Sequence, residues 1–79
     1  MGPKWSCYTH RDGTEQVFTS TLWAPCLVIE RYTTRKGYTP WFVVRRKGEE
    51  WRPTRIAGPF DDLDAAKVAY LFNTRRDLT

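Results

Sequence analysis

Apolar and polar residues alternate in short runs along the chain before residue 58, which is the pattern of half-buried β-strands. These runs predict strands at residues 4–10, 15–19, 26–32, 38–47 and 51–57. Asp12-Gly13 separates the first two runs and predicts a tight hairpin turn, because both residue types tolerate positive φ. Residues 33–37 and 48–50 predict the later turns.

The spacing of apolar residues becomes helical after Gly58-Pro59, which predicts one helix over residues 60–76. Asp61 is the expected N-cap, and Asp64, three residues on, resembles a capping-box partner. Two apolar stripes follow from the helical period. One contains Leu63, Ala66 and Tyr70, and the other, roughly opposite, contains Ala65, Val68, Ala69 and Phe72. Either stripe can face the sheet.

The order of these elements predicts an α+β fold. We expect an antiparallel sheet, formed by an N-terminal hairpin and a three-stranded meander, with one C-terminal helix packed on one face. The length of 79 residues predicts a single domain over residues 1–79. Its parts are an N-terminal hairpin extension at 1–25, a basic β-meander at 26–57 and the helix at 60–76. The sheet face away from the helix is expected to meet solvent or a ligand.

Positive charge is concentrated in the middle of the chain. The net charge is +4, but residues 31–55 hold eight cations and two glutamates, whereas the remainder holds five cations and seven acids. Strand-borne arginines beside aromatic residues suit contacts with phosphates and bases. The alternative is an ordinary hairpin with core aromatics and a solvated charged rim. On the binding interpretation the candidate nucleic-acid-binding residues are Arg31, Arg35, Lys36, Trp41, Arg45, Arg46, Lys47, Arg52 and Arg55.

The stretch "WFVVRR", a following Lys-Gly turn and "GPFDDLDAAKVAY" resemble the ethylene-response-factor type of DNA-binding domain and the related arm-binding domains of phage and transposon integrases. The resemblance implies a three-stranded sheet, backed by one helix, that enters the DNA major groove. At the start of the helix, six residues fall at the family's spacing: Gly58, Phe60, Asp61, Ala66, Ala69 and Tyr70.

The same resemblance makes Trp41 and Arg46 DNA contacts and gives Arg35 or Lys36 the role of the basic residues in the first hairpin. Arg46 is then an exposed cation whose removal leaves stability nearly unchanged. The resemblance spans residues 27–70, so the N-terminal hairpin has no counterpart in it. The chain also departs from the family at Ile56, where the family has Trp, and Trp51 is displaced by several residues.

Cys7 and Cys26 are expected to be reduced thiols, with a disulfide between them as the alternative if their strands align. Cys7 and His10 have the spacing of half a zinc site, but with one further Cys and no further His the chain cannot supply four such ligands. We therefore expect no metal and no cofactor.

No nucleophile elbow, catalytic triad or phosphate-binding glycine loop is present in the sequence, which argues against an enzyme and a small-molecule substrate. No long apolar segment or signal segment is visible, so we expect a cytoplasmic protein with no membrane contact. The predicted function is a non-enzymatic nucleic-acid-binding module with duplex DNA as the favoured ligand, and the sequence does not decide between DNA and RNA. The alternative is a small phage or mobile-element type of interaction protein that binds a host protein. The sequence leaves the oligomeric state open.

Overall fold

The computed structural model describes residues 4–19, 27–46 and 54–77. The elements in these segments are β1 (Trp5–Thr9), β2 (Glu15–Thr19), β3 (Leu27–Arg31), β4 (Thr33–Thr34), β5 (Gly37–Tyr38), β6 (Trp41–Arg45), β7 (Thr54–Phe60) and α1 (Leu63–Asp77). Five antiparallel strands form one sheet in the order β1-β2-β3-β6-β7, and α1 packs across it. The predicted α+β fold with an N-terminal hairpin, a meander and one C-terminal helix is confirmed. Several predicted features lie outside the described residues: Cys26, Lys47, the turn at 48–50, Trp51 and Arg52.

The N-terminal hairpin turns at Asp12-Gly13 as predicted, but its loop has three residues, 11–13, in place of a two-residue turn. Gly13 has a φ of 92°, and its N–H donates to the carbonyl of His10 at 3.0 Å. The Oδ1 atom of Asp12 accepts the N–H of Thr14 at 2.9 Å, which closes an Asx turn. Strand β2 follows at once and pairs with β3, so the hairpin is continuous with the main sheet.

A short two-stranded ribbon, β4–β5, replaces the simple turn that the sequence predicts at residues 33–37. Thr33 pairs with Tyr38 and Thr34 with Gly37, so the tip consists of Arg35 and Lys36. The Oγ1 atom of Thr34 donates to the Gly37 carbonyl at 2.8 Å and accepts the Lys36 N–H at 3.2 Å. These bonds fix the tip of the ribbon, and β6 consequently begins at Trp41 and not at residue 38.

The last strand runs further than predicted. It continues to Phe60, which pairs with Trp41. The helix begins at Leu63, so the predicted helix start at residue 60 is wrong by three residues. Gly58-Pro59 looked like a strand end because proline cannot donate a hydrogen bond to a sheet. Strand β7 is an edge strand, where proline is tolerated.

The helix uses its Leu63 stripe against the sheet. Ala66, Tyr70 and Thr74 are buried, whereas Val68 and Phe72 are 69% and 62% exposed. The ring of Tyr70 meets that of Trp5 edge-on at 5.4 Å, and its hydroxyl accepts the N–H of Thr19 at 3.5 Å. Burial raises the pKa of the Tyr70 hydroxyl, and the Thr19 bond opposes this. The sequence left both stripes open, and these contacts decide between them.

Alternation gives the sheet two distinct faces. The face covered by α1 presents the core, which consists of Val17, Leu27, Ile29, Trp41 and Val43 together with Ala66 and Tyr70 of the helix. The opposite face carries the intervening residues. We call it the open face and define it by Gln16, Glu30, Phe42, Val44 and Arg55.

Asp62, and not the predicted Asp61, caps the helix. Its Oδ1 atom accepts the N–H of Asp64 at 3.3 Å, and its carbonyl accepts the N–H of Ala66 at 3.2 Å. Asp62→Ala should therefore lower the free energy of unfolding by about 1 kcal/mol, measured by thermal or urea denaturation. Asp61→Ala is the matched control and should have little effect, and an equal loss from both variants would contradict this assignment.

Candidate functional site

Seven of the nine predicted binding residues are among the described residues, and they lie in four different surroundings. Trp41 is in the core. Arg31 and Arg46 are each paired with a glutamate. Arg35, Lys36 and Arg55 are exposed, and Arg45 is half-buried at the end of β6, opposite Leu27 and Thr54. The structure therefore separates residues that the sequence analysis treated as one group.

Trp41 lies on the helix-covered face and is only 7% exposed. The guanidinium of Arg31 covers its ring at 4.4 Å and the ring of Tyr38 at 3.8 Å, and also pairs with Glu15 at 2.8 Å. A ligand on the open face cannot reach this indole. Trp41 is accordingly a packing residue, and the DNA contact that the resemblance implies for it is not part of the proposed function.

In β6, the aromatic ring that lies on the open face is that of Phe42. The exposed Arg55 of β7 stacks over it at 4.2 Å. This pair arises because Arg55 is opposite Val44 in the β6–β7 register, which puts its side chain on the same face as Phe42. Alternation along "WFVV" assigns Trp41 and Phe42 to opposite faces, but it does not tell which face the helix covers.

A buried carboxylate lies at the centre of the open face. Glu30 is 0% exposed, although it is charged and follows three apolar residues of β3. Arg46 forms a two-pronged ion pair with it, from Nε to Oε1 and from Nη2 to Oε2, the latter at 3.0 Å. Gln16 donates to Oε1 at 2.6 Å, and the hydroxyl of Tyr32 donates to Oε2 at 2.9 Å. Both carboxylate oxygens are thus satisfied by donors.

These contacts keep Glu30 ionised. Burial by itself would raise the pKa of this carboxyl, but hydrogen bonds from Arg46, Gln16 and Tyr32 outweigh it and hold the pKa below the ordinary value of 4.5. Burial and the bond to Glu30 raise the pKa of the Tyr32 hydroxyl. A carboxylate with a lowered pKa is poorly suited to general acid or base work near neutral pH, so Glu30 serves to anchor Arg46.

The ion pair with Glu30 argues against the expectation that Arg46 is an exposed cation whose removal leaves stability nearly unchanged. Its side chain is 36% exposed, and its guanidinium is fixed against Glu30, which raises the pKa of Arg46. The exposed part of the side chain can still present positive charge to a ligand. Removing it would also leave a buried negative charge without its partner, so stability and binding are coupled at this residue.

The network continues to the N-terminal hairpin. The Nε2 atom of His10 lies 2.7 Å from Oε1 of Gln16, and the rings of His10 and Tyr8 meet edge-on at 4.7 Å. A shallow groove of about 150 Å³ is lined by His10, Asp12, Thr14 and Arg46. The hydrogen bonds from the Thr14 backbone and side chain lower the pKa of Asp12, so its carboxylate stays charged. Polar groups of this groove already hold the turn and the network in place.

Cations lie at the ribbon tip and on the open face. Arg35 and Lys36 form the tip of the β4–β5 ribbon. The backbone of Arg46 follows β6 at the opposite end of the sheet, but its side chain extends to the groove beside the N-terminal hairpin turn. On the open face, Arg46 and Arg55 meet at the Glu30–Phe42 register pair. We call Arg55, Arg46, Arg35 and Lys36 the basic track.

Three exposed acidic residues lie on the other side of the sheet. Asp61, Asp62 and Asp64 surround the start of the helix, which packs on the covered face. Both glutamates described within the sheet are already engaged by arginines, Glu15 by Arg31 and Glu30 by Arg46. Asp12 is the exception, because it is exposed and lines the groove with Arg46. Apart from Asp12, the described residues thus separate charge by side, with the basic track on the open face and at the ribbon tip.

The described parts of the chain contain no cluster of three or more His, Cys, Asp or Glu residues that could hold a metal ion. Cys7 has a free, exposed thiol on β1. Within the same described segments, the helix is too short and too polar to cross a membrane. Comparison of the chain with protein-family models, curated proteins and solved structures found no match.

Proposed function

We propose that this chain is a non-enzymatic nucleic-acid-binding module that holds duplex DNA against the basic track. The main support is the separation of charge. Arg35, Lys36 and Arg55 are exposed, whereas the two described glutamates of the sheet are neutralised by other arginines and three aspartates lie by the helix start. A surface of this kind attracts phosphates and releases their counterions on binding.

The shape of the β4–β5 ribbon also supports the proposal. The major groove of B-DNA is about 12 Å wide and admits a two-stranded β-ribbon. Arg35 and Lys36 lie at the tip of such a ribbon, and its hydrogen bonds fix their backbone before a ligand arrives. The layout of β3, β6 and β7 with α1 across them is also the layout that the resembled DNA-binding domains have.

Duplex DNA is favoured over single strands because the aromatic residues of β6 are not free and the exposed rings of Tyr8 and Tyr38 are in contact with His10 and Arg31. Binding of single strands by a sheet depends on exposed rings that stack on bases. Trp41 is buried in the core, and the ring of Phe42 is covered by Arg55. Charge-driven contact with a duplex backbone needs neither ring.

The ribbon tip gives the direct test of this proposal. Loss of one phosphate contact lowers the slope of log affinity against log salt by about 0.9, so Arg35→Ala with Lys36→Ala should lower it by about 1.8. The measurement is fluorescence anisotropy with a random duplex over a range of salt concentrations. Lys67→Ala, which removes one cation from the helix, is the control and should leave the slope unchanged. If the parent chain shows no salt-sensitive binding at low ionic strength, the proposal is wrong.

A second candidate function is supported by the outer face of the helix. Val68 and Phe72 are exposed one turn apart, and large exposed apolar residues in one stripe are typical of protein-binding surfaces. This feature favours the alternative of a small interaction protein. The two functions are distinguished by two variants. Phe72→Glu would abolish protein docking through the helix and leave DNA binding intact. The variant with Arg35→Ala and Lys36→Ala would weaken DNA binding and leave protein docking intact.

A further inference from the structure

The turn of the N-terminal hairpin lies directly beside the β4–β5 ribbon. The Oγ1 atom of Thr33 donates to the carbonyl of Gly13 at 3.0 Å, which ties the two turns together. The turn is also held internally, by the His10–Thr14 backbone bond at 2.9 Å and by the Asx turn of Asp12. Its backbone is therefore in a defined position next to the tip that carries Arg35 and Lys36.

Arg11 is exposed in this turn. Neighbouring strands of a sheet are about 4.8 Å apart, so side chains of two adjoining turns can reach the same groove of a duplex. The acids near the turn are few and mostly engaged. Glu15, the first residue of β2, pairs with Arg31, so Asp12 is the charged residue that opposes Arg11 locally.

We infer that the N-terminal hairpin turn is part of the nucleic-acid-binding surface and that Arg11 contacts a backbone phosphate beside Arg35 and Lys36. This inference rests on the proposed function and extends it to a segment that has no counterpart in the resembled domains. The contact is charge-driven and carries no sequence information, so its role is to set the position of the ribbon on the duplex.

The hairpin offers its own control for this inference. Lys4 and Arg11 are both exposed cations of the N-terminal hairpin, but Lys4 precedes β1, at the end away from the turn. Arg11→Ala should lower the salt slope for a random duplex by about 0.9, whereas Lys4→Ala should not change it. Arg11→Lys keeps the charge and should keep the slope.

Asp12→Asn supplies an independent readout with the opposite sign. Asparagine retains an oxygen for the Thr14 N–H, so the Asx turn is kept while one negative charge beside Arg11 is removed. Binding of the duplex should become tighter at low salt, and the gain should disappear at high salt. Thermal melting of each variant verifies that the fold is retained.

The outcomes distinguish this inference from the function on which it rests. If the parent binds DNA with a salt-sensitive affinity but Arg11→Ala behaves like Lys4→Ala, the inference is overturned and the proposed function stands. If Asp12→Asn leaves the affinity unchanged at low salt, the inference is likewise overturned. If the parent shows no salt-sensitive binding, both are overturned.

Discussion

Replacing Arg46 by alanine should lower the free energy of unfolding by about 3 kcal/mol, near the lower end of the range for a broken buried ion pair. Glu30, which is 0% exposed in the parent chain, would lose its two-pronged partner. The low end is expected because Gln16 and Tyr32 would still donate to the carboxylate and because the side chain of Arg46 is 36% exposed. Urea denaturation near neutral pH is the measurement.

The other arginine–glutamate pair of the sheet is the control. Arg31 and Glu15 are both partly exposed, and exposed pairs contribute about 0–1 kcal/mol, so Arg31→Ala should cost much less, with some loss from its stacking on Trp41. Glu30→Gln should partly restore the stability of the Arg46→Ala variant by removing the unpaired charge. Equal losses from the two arginine variants would contradict the role given to Glu30.

The stability lost in the Arg46→Ala variant should depend on pH, and the direction of this dependence follows from the pKa of Glu30. The folded-state pKa of Glu30 is held below its ordinary value of 4.5 in the parent chain. Its ionised form therefore stabilises the fold above that value, and the contribution disappears as the pH falls through the lowered pKa. The gap in stability between the parent and Arg46→Ala should consequently be widest near neutral pH and should narrow on acidification below pH 4.5.

Gly58→Ala should be the more destabilising of two glycine substitutions, with a loss of about 4 kcal/mol from backbone strain and overpacking together. Gly58 has a φ of 121°, in the region that residues with a side chain rarely adopt. A Cβ atom there would also lie 2.9 Å from Cδ1 of Phe42 and 3.0 Å from the carbonyl oxygen of Trp41. Both neighbours belong to β6, where the β6–β7 register is irregular and the strands approach closely.

Gly37→Ala separates the cost of backbone strain from the cost of overpacking. Gly37 has a φ of 124°, almost the same as Gly58, but a Cβ atom there would meet nothing within 4 Å. Its substitution should cost about 2 kcal/mol from backbone strain alone. Thermal melting of both variants gives the difference that belongs to the contact with β6. Equal melting temperatures would show that this contact has no energetic weight.

Local patterns predict much of the fold because each element depends on nearby residues. The hairpin turn is stabilised by a local hydrogen bond, from the N–H of Thr14 to the side chain of Asp12 two residues earlier. Strand β2 lies at the predicted residues 15–19. The first residue of the helix was harder to predict from the sequence. Asp61 and Asp62 are equally good caps by residue type, and the extension of β7 to Phe60 depends on pairing with Trp41, which is distant in sequence.

The open face could not be predicted in the same way. Spacing places Trp41 and Arg46 on opposite faces of a flat strand, but only the packing of α1 decides that Trp41 is covered. The burial of Glu30 depends on donors 14 and 16 residues away, Gln16 and Arg46, so no short-range pattern encodes it. One signal was present: a single glutamate inside the apolar run "CLVIERY". Buried charges require a partner, and eight cations follow this glutamate within residues 31–55.

Chemical-shift mapping of the labelled chain with a random DNA duplex tests the central claim most directly. We predict salt-sensitive shifts centred on the amides of Arg35, Lys36 and Arg55, with Arg11 included if the hairpin turn takes part. The amide chemical shifts of Val68 and Phe72, on the outer face of the helix, should remain unchanged. The absence of shifts at low ionic strength, or shifts confined to the outer face of the helix, would contradict binding of DNA by the basic track.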